Sequence, residues 1–246
     1  TCYAPSSIRT VKYAHVYDLA IETSSELASA ALLHNDVCSS RQSAGVSTHS
    51  QNILPMVQAL LQDAGIALRD CDAIAFGAGP GSFTGVRTAC GIAQGLAYGA
   101  DKPLLPTVTL LALAQACREQ TGANDVLAVL DARMGEVYWA QYRFDGAWQI
   151  VIAPTLSSAL DVQPQGEVVA CGNGLQAYAA DFSARPFFGA ALKDLLPQAT
   201  QIARLGAVAY AQGLAVVASA AEPLYLRNKV ALTTMERLEK AAKEAA

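Results

Sequence analysis

The sequence predicts an α/β fold of two similar lobes facing each other across a cleft. Three observations carry that prediction. A buried strand, Asp72 to Phe76, breaks into Gly77-Ala78-Gly79-Pro80-Gly81-Ser82-Phe83-Thr84-Gly85-Val86-Arg87 and re-emerges as a helix, Val86 to Gly99. A three-strand meander whose first strand ends on an acidic residue occurs twice, at Glu22 and again at Asp131. A second strand, Val168 to Cys171, runs into Gly172-Asn173-Gly174 and repeats the first strand–glycine turn.

The elements follow in order. Val16 to Glu22 is an apolar strand ending in Glu22-Thr23-Ser24-Ser25; Leu27 to Leu33 and Val37 to Ser40 complete the meander across the turn His34-Asn35-Asp36. Glu22 at a buried strand end suits either a metal or phosphate site or a capping role in the turn. Asn52 to Ala64 places Ile53, Met56, Val57, Leu60, Leu61 and Ala64 on one face at the 3.6-residue period, with Pro55 expected in the first turn and Gly65 ending the helix. In the helix after the glycine loop, Ala89, Ala93 and Ala97 form one four-residue row, and Gly91, Gly95 and Gly99 form another. Interior glycines cost a helix about 1 kcal/mol each relative to Ala, so close packing must offset Gly91 and Gly95. Arg87 is the single charge between Ala73 and Ala100, which predicts a helix covered on most sides, within its own lobe or against another chain.

Pro103 and Pro106 bracket an expected connector, and Thr107 to Glu119 reads as a helix capped by Thr107 or Thr109. Val126 to Leu130, Val137 to Arg143 and Trp148 to Ile152 form the second meander, with Asp145-Gly146 as a hairpin turn. The offset from Glu22 to Asp131 is 109 residues and from Gly77 to Gly172 it is 95, so the second half is shorter between these landmarks. An internal duplication explains the pattern, each half reading meander, helix, strand, glycine turn, helix. Asp194 to Ala215 is a further helical region, Pro223 to Asn228 is extended, and Met235 to Glu244 is a charged terminal helix. Lobes arranged in this way form an actin-like, sugar-kinase-like architecture. The expected division is a leader at 1–15, lobes at 16–105 and 106–225, and a tail at 226–246.

The glycine loop invites two readings. Its backbone N–H groups, with Ser82 and Thr84 as caps, could cradle a phosphate through Gly79, Gly81, Ser82, Thr84 and Arg87; or its glycines serve a tight structural turn. No Lys-Ser or Lys-Thr follows, which excludes a P-loop, and no G-x-G-x-x-G occurs, which disfavours a dinucleotide-binding fold.

With 52% hydrophobic residues, the 246-residue chain can bury a large core. Its formal net charge of −4, without a basic cluster, argues against a free-standing nucleic-acid binder, though not against nucleic acid reached through a partner. The tail carries Arg237, Lys240 and Lys243, but beside Glu236, Glu239 and Glu244. Six scattered cysteines (Cys2, Cys38, Cys71, Cys90, Cys117, Cys171) without a C-x-x-C pair read as reduced thiols of a cytoplasmic protein. His15, His34 and His49 provide no metal-ligand spacing, and no apolar run is long enough to span a membrane.

Four segments carry a resemblance: Ala20-Ile21-Glu22-Thr23-Ser24, His49-Ser50-Gln51-Asn52-Ile53-Leu54-Pro55, Gly79 to Arg87, and Pro223-Leu224-Tyr225-Leu226-Arg227-Asn228. In this order the sequence, from about Val16 to Val230, resembles the TsaB family, also called YeaZ or glycoprotease-like. The resemblance implies an ASKHA-type fold and a non-catalytic subunit in the making of threonylcarbamoyladenosine (t6A) in tRNA. It implies pairing with a paralogous transferase, TsaD, and with the ATPase TsaE, for N6-threonylcarbamoylation of adenosine 37 in tRNAs reading codons that begin with A. The transferase's two metal-binding histidines have no counterpart in Val108-Thr109-Leu110-Leu111-Ala112-Leu113-Ala114. No catalytic or metal-binding residue and no cofactor is therefore expected for this chain, with ATP or ADP bound only in the complex.

The expected partner surface joins the helices Asn52–Ala64 and Val86–Gly99 through Ile53, Met56, Val57, Leu60, Leu61, Ala89, Ala93, Gly95 and Ala97. The same surface would support a homodimer of the isolated chain, because a paralogue's surface resembles its own. The competing reading is an active phosphotransferase or a nucleotide-binding regulator of the same fold, with Glu22 or Asp131 as its base.

Overall fold

The computed structural model describes residues 17–44 and 49–227. The expected leader at 1–15 and terminal helix at 235–244 lie outside the described residues.

The first sheet contains β1 (Tyr17–Glu22), β2 (Leu27–His34), β3 (Val37–Ala44), β4 (Ala73–Gly79) and β5 (Leu104–Val108), in the order β3-β2-β1-β4-β5. The second contains β6 (Asp125–Arg133), β7 (Glu136–Phe144), β8 (Trp148–Ser158) and β9 (Val169–Cys171), in the order β8-β7-β6-β9. In each sheet an antiparallel meander is joined by a later strand running parallel to its first member, β4 on β1 and β9 on β6. The chain thus has the expected two-lobed, duplicated α/β architecture.

The helices fill three layers. Helix α1 (His49–Ala64) and helix α2 (Phe83–Ala100) cover one face of the first sheet, burying Leu19, Ile21, Ile74 and Phe76 with Ile53, Val57, Leu60 and Ala93. Helix α3 (Thr109–Thr121) and helix α6 (Ala199–Ala211) lie between the sheets in a core that includes Ala20, Ala75, Leu113, Ala128, Ile202 and Ala203. Two four-residue helices, α4 (Gly174–Ala177) and α5 (Ala179–Phe182), flank the far face of the second sheet, where Leu127, Val129, Trp139, Leu175 and Phe182 meet. No helix among the described residues is long and apolar enough to cross a membrane.

Several expectations need correction. Helix α1 begins at His49, so Pro55 lies beyond its first turn. Pro55 is exposed there, so the carbonyl that loses its helical donor remains within reach of water. The connector at Pro103–Pro106 is largely strand β5, and Pro106 is tolerated because β5 is the last strand of its sheet. Thr107 belongs to that strand and Thr109 is the first residue of α3, whose N-cap position is Val108; neither threonine caps the helix.

The second half also lacks the long helices of the first. Where α1 stands in the first lobe, the second has one short 3-10 turn, Ala159–Asp161, and α4 and α5 replace a counterpart of α2. The expected lobe at 106–225 gives up its C-terminal part, because α6 packs on β1, β2 and β4 of the first sheet. Small residues permit that approach: a Cβ added at Gly206 of α6 would lie 2.6 Å from the Cβ of Ala75. Beyond α6, Val216 exchanges two 2.8 Å backbone hydrogen bonds with Leu104 of β5.

Candidate functional site

The glycine turn is moulded onto the turn that follows β1. Strand β4 continues through Gly79, and Ser82 then caps α2, accepting from the Gly85 N–H at 3.4 Å. The Ser82 N–H donates to Ser24 O at 2.7 Å, and the Thr23 hydroxyl donates to Gly85 O at 2.7 Å. A Cβ at Gly77 would fall 1.9 Å from Glu22 Oε2, and one at Gly85 would fall 2.0 Å from Thr23 O. These two glycines are therefore required by close approach between the turns. Thr84 is exposed inside the first turn of α2; its carbonyl accepts the Thr88 hydroxyl, and it is not the cap. The Arg87 guanidinium stacks 3.6 Å over the Phe83 ring, and its Nε donates to the Tyr225 hydroxyl at 2.8 Å.

Glu22 is fully buried at the end of β1. Its carboxylate accepts from the Ser24 N–H at 2.5 Å and from the Thr109 hydroxyl at 3.3 Å; the Thr109 oxygen accepts from the Gly79 N–H at 3.1 Å. One side chain thus ties the ends of β1 and β4 to the start of α3. Burial pushes the Glu22 carboxyl above the usual carboxylate range, while hydrogen bonds from Ser24 and Thr109 oppose that shift. Of the two roles open to Glu22, the geometry matches the capping one.

Between the lobes lies a cavity of about 330 Å³, lined by Ser24–Glu26, the loop at Gly81–Phe83, the end of β6 and the turn after it at Asp131–Met134, and Leu224–Arg227. Its acidic groups are engaged with neighbours. Asp131 accepts from the Arg133 N–H at 2.7 Å and the Tyr178 hydroxyl at 3.1 Å, and pairs with the Arg133 guanidinium at 3.2 Å. Glu26 receives the Asn173 amide at 3.1 Å on each oxygen, joining the first lobe to the second. The extended segment after α6 runs along α2 and across this mouth. Gln94 donates to Ala218 O and Ala221 O, the Leu224 N–H donates to Ala78 O at 2.7 Å, and Arg227 pairs with Glu136 and donates to Arg133 O.

The outer helices divide the expected interface residues in two. Ile53, Val57, Leu60, Leu61, Ala89, Ala93 and Ala97 are buried in this chain's own core, because methyl and larger side chains fill the space against the first sheet. Met56 is half-buried and Gly95 is exposed. The outward row of α2 is the glycine row, where a Cβ at Gly91, Gly95 or Gly99 would meet nothing within 4 Å. On the same helix Tyr98 is 87% exposed, and on α1 Leu54 is 48% exposed.

Thr109, Asn173 and Glu26 did not emerge as site residues from the sequence. Their roles depend on partners 87 to 147 positions away, and only the repeated Gly172-Asn173-Gly174 hinted at one of them. Tyr225 and Arg227 lie in a segment that the resemblance had marked.

Comparison with known proteins shows the family. A family model described as "TsaD: tRNA N6-adenosine threonylcarbamoyltransferase" matches residues 31–242. The chain is 43% identical over 223 residues to the tRNA threonylcarbamoyladenosine biosynthesis protein TsaB of Escherichia coli K12, covering 87% of this chain and 95% of that protein. It belongs to the TsaB family. The Haemophilus influenzae TsaB is 39% identical, covering 86% of this chain and 94% of that protein. A solved structure of YeaZ from Pseudomonas aeruginosa superimposes with a TM-score of 0.79 at 39% identity, over 86% of this chain and all of that one. A second Pseudomonas aeruginosa structure, described as similar to the peptidase YEAZ, gives a TM-score of 0.80 at the same identity and coverage. The TsaB family is the one whose motifs the sequence carries, and its members are named for t6A biosynthesis.

Proposed function

We propose that this chain is a non-catalytic partner subunit in N6-threonylcarbamoylation of adenosine 37 of tRNA, pairing with a TsaD-like transferase and working with a TsaE-like ATPase. The observation that carries this reading is the state of the carboxylates expected to serve an enzyme. Glu22 is enclosed and hydrogen-bonded as a structural joint, and Asp131 is held by Arg133 and Tyr178. Among the described residues no group of three or more His, Cys, Asp or Glu is placed to hold a metal ion. The glycine turn, read as a candidate phosphate loop, has the Ser82 N–H and the capping Ser82 hydroxyl engaged within the protein, so nucleotide in the assembly is assigned to the partners.

The partner face is the outer side of α1 and α2. The glycine row admits a neighbouring helix close to its backbone, and exposed Leu54 and Tyr98 supply apolar area. Without the partner, the same face supports a homodimer. With a formal charge of −4, the chain reaches tRNA only through the complex, in the cytoplasm.

The test is reconstitution with the transferase, the ATPase and the synthase that makes the threonylcarbamoyl donor, read by mass spectrometry of tRNA nucleosides. Threonylcarbamoyladenosine should accumulate when this chain is present and stay at background without it. The chain alone should neither modify tRNA nor hydrolyse ATP. Turnover by the chain alone that survives repurification and disappears in Asp131→Ala would overturn the proposal.

A further inference from the structure

The cavity between the lobes carries polar groups that the joint around it leaves unused. Ser24 and Arg227 both line it. Ser24 is 3% exposed, and its Oγ makes no well-formed hydrogen bond among the described residues. Arg227 commits its two terminal nitrogens to neighbours: one donates to Arg133 O at 3.3 Å and pairs with Glu136, and the other meets Met134 Sδ at 3.4 Å. Its Nε is buried and has no partner among the described residues. The carboxylates of the same cavity are in the opposite condition. Asp131 accepts from the Arg133 N–H and the Tyr178 hydroxyl and pairs with the Arg133 guanidinium, and Glu26 receives the Asn173 amide on both oxygens.

We propose that this cavity binds a small organic carboxylate, which accepts hydrogen bonds from Ser24 Oγ and Arg227 Nε and lays its apolar body against Phe83, Leu130, Leu224 and Tyr225. The cavity's 330 Å³ falls within the roughly 300–1,000 Å³ of small-molecule sites. What it lacks is an acceptor, because both unused groups can donate and a buried donor without a partner is destabilising. An ionised oxygen answers arginine more strongly than a neutral one does, so a carboxylate is preferred to an amide. Helix α2 adds to the preference: its N-cap, Ser82, lines the cavity, so the positive end of an 18-residue helix borders the site.

The wall formed by the last described segment is held in place without a ligand. The Leu224 N–H donates to Ala78 O at 2.7 Å, and the Tyr225 hydroxyl accepts from Arg87 Nε at 2.8 Å. The site is therefore preformed, and binding need not order that segment. A nucleotide is a poorer match, since its phosphates would compete for the Ser82 N–H that Ser24 O already holds at 2.7 Å.

The experiment titrates the nitrogen-15-labelled full chain with sodium benzoate at fixed pH and ionic strength, following backbone amides by NMR. Benzamide, which keeps a neutral acceptor, and benzylamine, which has none, are run in parallel. Benzoate should shift the signals of Ser24–Glu26, Gly81–Phe83 and Leu224–Arg227 along one saturable isotherm, with Kd on the order of 1 mM for a fragment of this size. Benzamide should bind the same residues at least threefold more weakly, and benzylamine should leave them unmoved. Ser24→Ala removes a side chain that no other contact uses, and Arg227→Lys keeps the charge beside Glu136 while deleting Nε. Each variant, with its fold confirmed by an otherwise unchanged spectrum, should weaken benzoate by at least fivefold. Equal binding of benzylamine, absence of a saturable benzoate shift at these residues, or wild-type affinity in both variants would overturn the proposal. Displacement of benzoate by equimolar ATP would do the same, by assigning the cavity to nucleotide.

Discussion

Filling the glycine row of α2 separates folding from association, because the two should respond with opposite signs. Gly91 and Gly95 are interior helical glycines whose added Cβ atoms would meet nothing within 4 Å in the isolated chain. Replacing a helix-interior glycine by alanine stabilises by about 1 kcal/mol, so Gly91→Ala with Gly95→Ala should stabilise the free chain by about 2 kcal/mol. For a domain of this size that corresponds to a rise of roughly 4–8 °C in Tm. Against a partner helix packed on the glycine backbone, the same two methyls are overpacking. Such insertions cost about 1–3 kcal/mol, which weakens the complex by roughly 5-fold to 150-fold.

The assay pairs thermal unfolding of the free chain with calorimetric titration against the proposed transferase partner. A raised Tm together with a weakened Kd is the expected result. A raised Tm with unchanged Kd would show that the glycine row is not the contact face, and a lowered Tm would refute the claim that the row is open. Ala93→Arg cannot make this distinction. Ala93 is fully buried, so an arginine there disrupts the core and abolishes binding through unfolding.

Three further outcomes follow from the same geometry. Gly77→Ala places a methyl onto the Glu22 carboxylate and should lower stability in urea by on the order of 3 kcal/mol, with Glu22→Ala in the same chain recovering part of the loss; independent effects would contradict the contact. Ser82→Ala removes the α2 cap and should cost about 1 kcal/mol in the same measurement, and no change would mean the cap contributes nothing. Asp18 is enclosed beneath α6 with neither carboxylate oxygen in a well-formed hydrogen bond, and burial raises its carboxyl well above the ordinary value. Its proton is retained on folding after the unfolded chain has lost it, so this group's contribution falls as pH rises from the ordinary carboxylate value towards the raised one. The slope within that window is about 1.4 kcal/mol per pH unit; Asp18→Asn should remove it, and an identical pH profile in both chains would refute the assignment.

Much of the fold was legible because burial along β1, β2, β4, β6 and β7 is close to continuous and acids and glycines mark the turns beside them. Glu22 and Gly79 end β1 and β4, Asp131 lies two residues before the end of β6, and Gly172 directly follows β9; the four strands β3-β2-β1-β4 of the first sheet match β8-β7-β6-β9 of the second in order. The second lobe was less legible. Its sequence retains the turns but has lost the residues that would form counterparts of α1 and α2, and a landmark offset cannot say which element was shortened. The orientation of α2 was also ambiguous, since alanine and glycine rows recur at the same interval. Packing settles it physically: the alanine methyls fill volume against Leu19, Ile21 and Ile74, and glycines on that side would have left voids. The return of α6 to the first sheet rests on Gly206 meeting Ala75, a contact between residues 131 positions apart that no local pattern announces.

The same elements that mark the cleft explain why it supports a joint better than a reaction centre. A general base must present an accessible oxygen to a substrate proton. Glu22 instead directs its oxygens to the Ser24 N–H and the Thr109 hydroxyl, and Thr109 passes the connection to Gly79. Around the rim, Asn173 fastens Glu26, and Arg227 fastens the turn that carries Arg133 and Glu136. Apart from the local Glu22–Ser24 contact, these links join segments distant in sequence, and those of Asn173 and Arg227 tie the two lobes together. The proposed partner role calls for this rigidity beneath the proposed contact face. Helix α2 begins at the joint through its Ser82 cap and ends beside exposed Tyr98. Gly85, packed on Thr23 at the joint, and the open row Gly91, Gly95 and Gly99 thus belong to one helix, its first turn closed against the β1 turn and its outer face free of neighbours among the described residues.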